Sequence, residues 1–195
     1  MVIDGNIGGS VLSILLTENK LKLLYLIYLY TMNKDPEKGE TWIKENALLS
    51  LAHYLIEKNV LDYDYAPQLV LWGDKTRIAN MSTQLIQELN ELRLTHVAQM
   101  RVATTDYRYL KAYRITNSGV EALSKIPDEV KNAVRQALSC PNCNSLLEIK
   151  FNEENLEPFL FCKNCNLKIK IGLLDIGDYS YEVKSFKLRD FLDDI

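Results

Sequence analysis

Apolar positions Val11, Leu12, Leu15 and Leu16, then Leu23, Leu24, Ile27 and Tyr28, recur at helical spacing on either side of a polar break at 17–20. That pattern predicts helix in both stretches, with Ser10 placed to cap the first. Pro36 and Gly39 then punctuate a turn over 33–39. A second helical pattern opens at Glu40-Thr41 and runs to Lys58, with Trp42, Leu48, Leu51, Ala52 and Leu55 on one face. Residues 62–73 contain Pro67 and tyrosines and read as a loop with a short apolar strand over 69–72.

From Lys75 onward, Ile78, Met81, Leu85, Leu89 and Leu92 fall three or four apart. The spacing predicts a helix over 75–94 with one buried stripe. Ser82 is a cap for a shorter version beginning at Thr83. Two β-prone runs, 95–103 and 107–116, flank Thr104-Thr105-Asp106 and read as a hairpin. Asn117-Ser118-Gly119 opens a helix over 120–125, which breaks at Pro127 and resumes over 128–138. The order is helix, hairpin, helix.

The words STQLIQELNELRLTHV, from Ser82 to Val97, and YRITNSGVEAL, from Tyr113 to Leu123, resemble the winged-helix family of MarR-like and PadR-like regulators. The first is similar to a recognition helix leaving into a wing, the second to the strand-to-helix ending of such domains, and the likeness covers about residues 10–138. The segment over 62–74 departs from the usual pattern. The resemblance implies DNA binding, with the helix over 75–94 in the major groove. Gln84, Gln87 and Asn80 would then offer amide pairs to adenine, while Arg77 and Lys75 would reach guanine or phosphate. Arg101, Arg108, Lys111 and Arg114 of the hairpin would neutralise phosphates. Alternation divides these last residues between faces, with Arg108 and Arg114 on one and Tyr107, Tyr109, Tyr113 and Ile115 on the other.

The four cysteines form two CxxC pairs, Cys140/Cys143 and Cys162/Cys165, with eighteen residues between them. Two-residue spacing lets one tight turn present two sulfurs to one ion, and the interval fits a strand, a turn and a returning strand. Zn²⁺ is the expected ion, with a rubredoxin-type iron site as the alternative. Asn144 and Asn166 close the two turns, and Asn is the non-glycine residue that best tolerates a left-handed backbone. Four thiolates fill a tetrahedron, so the metal is expected to be structural. The expected fold class is therefore α+β: a winged helix-turn-helix domain with an N-terminal helical extension over 1–138, then a small β-rich zinc ribbon over 139–195. In domain order alone this resembles the transcription factor E family.

Hydrophobic content of 47% and charged content of 25% are ordinary for a soluble globular chain. The apolar run over 23–32 is about half a membrane span, and residues 1–20 resemble no secretory signal, so an intracellular location is expected. The formal net charge of −3 hides a local excess: residues 75–114 hold seven basic and three acidic side chains. The acidic residues Asp190, Asp193 and Asp194 pull the other way. No phosphate loop, nucleophile elbow or zinc-protease motif is present, and His53 and His96 have no partner at diagnostic spacing, so a non-enzyme is expected. Tyr25, Tyr28 and Tyr30 suit core or dimer contacts, and a homodimer through the N-terminal helix or the helix over 120–138 is one expected assembly. Two functions remain open: a transcriptional regulator bound to double-stranded DNA, or a protein-binding adaptor meeting partners in the transcription machinery.

Overall fold

A computed structural model describes residues 16–32, 41–72, 75–105 and 108–174. The Ser10 cap, the 11–15 stretch, the 33–39 turn, Asp106 and the acidic residues Asp190, Asp193 and Asp194 lie outside them. Helix α1 spans Glu18–Thr31. Its run Leu23, Leu24, Tyr25, Leu26, Ile27 is buried without interruption, as befits a helix covered on every side. It touches each of the other four described helices and the central strand of the main sheet. The expected polar break at 17–20 is instead the helix start: Thr17 caps it, accepting from the Lys20 amide at 3.3 Å.

Strand β1, Ile43–Lys44, precedes helix α2, Glu45–Glu57. The second helix thus begins later than its periodicity predicts, because residues 43 and 44 pair with a strand far along the chain. That strand is β5, Arg108–Ile115, with Ile43 opposite Tyr113 and Lys44 opposite Ala112. Strand β4, Ala98–Thr105, flanks it on the other side, with Ala98 opposite Ile115. The sheet order is β1-β5-β4.

The expected helix over 75–94 is corrected in its first third. Lys75–Met81 is strand β3, antiparallel to β2, Ala66–Trp72, in a register from Ala66 opposite Met81 to Trp72 opposite Lys75. Alternation explains it: Ala79 and Met81 are buried while Thr76 is exposed. Remote hydrogen bonds fix it, since the Asn80 amide donates to the Leu173 carbonyl at 2.8 Å and Ala79 bridges Leu174. Helix α3, Thr83–Leu94, begins where Ser82 caps it, accepting from the Leu85 amide at 3.2 Å. Helices α4, Asn117–Ser124, and α5, Asp128–Ala137, follow the hairpin.

Strands β6, Glu148–Phe151, β7, Pro158–Phe161, and β8, Lys168–Lys170, form an antiparallel sheet beside the cysteine pairs. The architecture is α+β, with small antiparallel sheets throughout. This last sheet is docked on the preceding residues. The Tyr30 hydroxyl donates to the Leu147 carbonyl at 2.7 Å, the Trp72 indole to the Leu156 carbonyl at 2.9 Å, and the Asn80 side-chain amide to the Gly172 carbonyl at 3.2 Å. One apolar core runs from Leu23 through Leu89 and Leu138 to Cys140, Leu160 and Leu173. Among the described residues, no helix is long and apolar enough to cross a membrane.

Candidate metal centre and candidate nucleic-acid face

Two tight turns build the cysteine cluster. In the first, the Asn144 amide returns to the Cys140 carbonyl at 2.8 Å, and the Cys140 amide donates to the Ser145 carbonyl at 2.8 Å. In the second, the Cys162 amide donates to the Leu167 carbonyl at 2.9 Å. Each turn closes through an asparagine in the left-handed region, Asn144 and Asn166 both at φ 56°. That placement explains why these positions are not β-branched or bulky residues.

The four sulfurs lie within 4.8 Å of one another, with Cys140 3.3 Å from Cys165 and Cys143 3.4 Å from Cys162. Metal–thiolate bonds of about 2.3 Å at tetrahedral angles place sulfurs about 3.8 Å apart. The cluster matches that spacing and can hold one metal ion. Cys140 and Cys162 are buried, whereas Cys143 and Cys165 are exposed. The Ser145 hydroxyl and amide hold the Cys143 thiol down to about 6, favouring the thiolate a metal needs. Proton sharing with Cys140, then Cys162, pushes Cys165 up to about 12.

The residues expected on a recognition helix are divided. Gln84 and Gln87 are exposed on α3. Asn80 and Arg77 are on β3 instead: Asn80 spends its side-chain amide on Gly172, and Arg77 is half-buried with its Nε lacking a hydrogen bond. Lys75 opens β3 opposite Trp72, and Arg108 opens β5 opposite Thr105. Gln87 donates to Glu91 at 3.2 Å, and Glu91 is itself paired with Lys20. Lys111 is 3.3 Å from Glu45.

Arg101 and Arg114 come together around a residue that periodicity had assigned to a helix face. Their guanidinium carbons lie over the Trp42 ring, 4.6 and 5.0 Å from its centroid. The register explains the meeting: Lys44, Ala112 and Arg101 lie side by side across the sheet, and Arg114 lies opposite Gln99 on the same face. Ala112, flanked by Lys44 and Arg101, is only 8% exposed although it belongs to this polar face. Gln99 accepts from Arg114 Nε at 2.8 Å. The sequence signal for Trp42 was the alternation Trp42-Ile43-Lys44, with buried Ile43 between two polar-face residues, too short to stand out.

A cleft of about 630 Å³ continues from this face, sharing Gln99 and Arg114 and adding His96, Thr116, Asn117 and Ser118. His96 takes the left-handed backbone there, φ 59°.

These features define an α+β protein with a four-cysteine cluster able to hold a metal ion. Residues 19–167 match the Uncharacterized protein MJ1567 family, and the chain belongs to that family. The match begins in α1 and contains all four cysteines, so helices, hairpins and cluster form one family unit. No curated protein matches the chain.

Proposed function

We propose that this chain binds double-stranded DNA as a transcriptional regulator, on a winged-helix arrangement in which β4 and β5 are the wing and α3 holds the recognition-helix position. The observation that carries the reading is the Trp42 ring with two guanidiniums over it. A guanidinium held over an aromatic ring is fixed in place while its remaining N–H donors suit phosphate, and Arg114 is further fixed by donating its Nε to Gln99. The resemblance of the Ser82–Val97 and Tyr113–Leu123 words to MarR-like and PadR-like regulators supplies the regulatory role. The metal in this reading is Zn²⁺, held by Cys140, Cys143, Cys162 and Cys165. Thiolates fill its four positions, so it braces the ribbon and performs no chemistry.

Anisotropy of a labelled duplex across a salt series tests the reading. Affinity is expected to fall as salt rises, and the salt slope to flatten in an Arg101→Ala/Arg114→Ala variant. A chain that binds no duplex at low salt overturns it.

The second reading is a protein-binding adaptor. Leu69 and Leu71, 65% and 69% exposed on the uncharged strand β2, favour it. It predicts no duplex binding at any salt.

A further inference from the structure

The two surfaces that a DNA-bound winged helix would present differ in charge, and the difference selects between them. Beside the N-terminal half of α3, a cleft of about 460 Å³ places Gln84 among Glu18, Asp62 and Glu88, with Lys22 the cation among its described lining residues. Lys22 is paired with Glu18 at 2.7 Å. Farther along the helix, Gln87 is hydrogen-bonded to Glu91. Glu91 is in turn paired with Lys20, and buried Glu88 accepts from the Tyr63 hydroxyl at 2.6 Å. The lysines beside these amides are thus already matched by carboxylates and leave no excess of positive charge to draw a phosphate backbone onto this part of α3.

The exposed face of the β1-β5-β4 sheet has the opposite character. Lys44, Gln99, Arg101 and Arg114 share it with Trp42, and its described positions include no carboxylate. The adjoining cleft is lined by hydroxyls, amides, Met32, Ile115, His96 and Arg114, again without a carboxylate among the described residues. Because both guanidiniums lie over one ring, at 4.6 and 5.0 Å from its centroid, their charges are within about 10 Å of each other. One DNA strand carries a phosphate about every 3.4 Å of helix axis, so the pair spans no more than about three phosphates.

We infer that nucleic acid lies on the sheet face around Trp42, Arg101 and Arg114, held by its sugar-phosphate backbone, and that α3 reads no bases. The inference rests on the nucleic-acid reading above and narrows it to sequence-independent binding. A guanidinium forks a phosphate oxygen pair whatever base it carries, and Gln99 is already engaged by Arg114, so these contacts add affinity without specificity. The amides of α3, beside charges already paired with one another, offer the backbone no comparable hold.

The full-length chain, metal-loaded, is titrated against several unrelated duplexes of about 20 base pairs, long enough to span the face. Three variants are compared: Gln84→Ala/Gln87→Ala, Arg101→Gln/Arg114→Gln and Arg101→Lys/Arg114→Lys. Circular dichroism verifies that each is folded. Affinities across duplexes are expected to agree within about threefold, and the glutamine-to-alanine variant within about twofold of wild type. The arginine-to-glutamine variant is expected to lose about tenfold or more and to reduce the salt slope by roughly 1.8, two phosphate contacts at 0.9 each. The lysine variant keeps the slope and loses affinity, because charge remains while the stacked fork is gone. A hundredfold preference for one duplex, or a larger loss from Gln84 and Gln87 than from the arginines, overturns the inference and leaves the nucleic-acid reading standing. Absence of wild-type binding to every duplex overturns both.

Discussion

The indole of Trp72 donates to the carbonyl oxygen of Leu156 at 2.9 Å, joining the β2–β3 hairpin to the loop between β6 and β7. Trp72 is 4% exposed and its ring lies 6.3 Å from that of Phe151, so the bond sits inside an apolar contact. Leu156 accepts from a left-handed backbone conformation, φ 57°. Replacing Trp72 by Phe keeps an aromatic ring and removes the donor. The expected cost is about 1 kcal/mol, for a half-buried carbonyl that loses its donor. A lower urea midpoint at unchanged slope measures it.

Metal removal is expected to reach beyond the ribbon. Cys140 and Cys162 belong to the same core as Leu89 and Leu138, and the ribbon's backbone accepts from Tyr30, Trp72 and Asn80. A chelator should therefore lower the melting temperature of the whole protein in one transition. Calorimetry with and without chelator decides the matter. An early ribbon transition followed by an unshifted main peak would show that the contacts do not couple the two parts.

Acidification is expected to destabilise the fold through His53. The ring is 3% exposed, its Nε2 is 3.5 Å from Glu57, and its Nδ1 is without a hydrogen bond. Burial holds its pKa below the usual 6.5, opposed by Glu57 and by the Gly172 backbone. As pH drops through 6.5 the unfolded chain takes up a proton that the folded chain still refuses. The unfolded state then binds more protons, and stability falls with falling pH. Thermal melts between about pH 7 and pH 5 should show a shallower decline in a His53→Gln variant than in wild type.

Gly119 is expected to tolerate no side chain. A Cβ there would stand 2.2 Å from the Val97 carbonyl oxygen and 2.7 Å from Ile115 Cγ1. The glycine allows α4 to start against the base of β4, while Thr116 caps the helix by accepting from the Gly119 amide at 3.0 Å. Gly119→Ala should cost about 1–3 kcal/mol by overpacking. Thr116→Ala should cost about 1 kcal/mol through the lost cap. Chemical unfolding of both variants, side by side, tests the order.

Local chemistry made much of this legible. The cap at Ser82, the breaker at Pro127, the alternation along β4 and β5, and the two CxxC turns each act over a few residues, and each is where the sequence placed it. Strand β3 was not legible, because Ile78, Met81 and Leu85 satisfy helical spacing while the deciding bonds come from Leu173 and Leu174. The same holds for Trp42, whose surroundings are set by strands β4 and β5 rather than by its neighbours in sequence. Arg77 and Asn80 fell away from the expected helix surface for this reason. Arg101 and Arg114 gained a shared aromatic ring that no spacing rule announced.

Three side-chain donors that hold the C-terminal part of the described chain are made long before their acceptors. Tyr30 precedes Leu147 by 117 residues, Asn80 precedes Gly172 by 92 and Trp72 precedes Leu156 by 84. On a ribosome, the hydroxyl, the amide and the indole therefore emerge with no acceptor to meet. The edge of β3 likewise waits for Leu173 and Leu174. The early part of the chain can collapse around α1 during synthesis, but its final set of hydrogen bonds closes only after the second cysteine pair has left the tunnel. Assembly of the four-cysteine cluster and completion of the older half of the molecule thus fall in the same late interval.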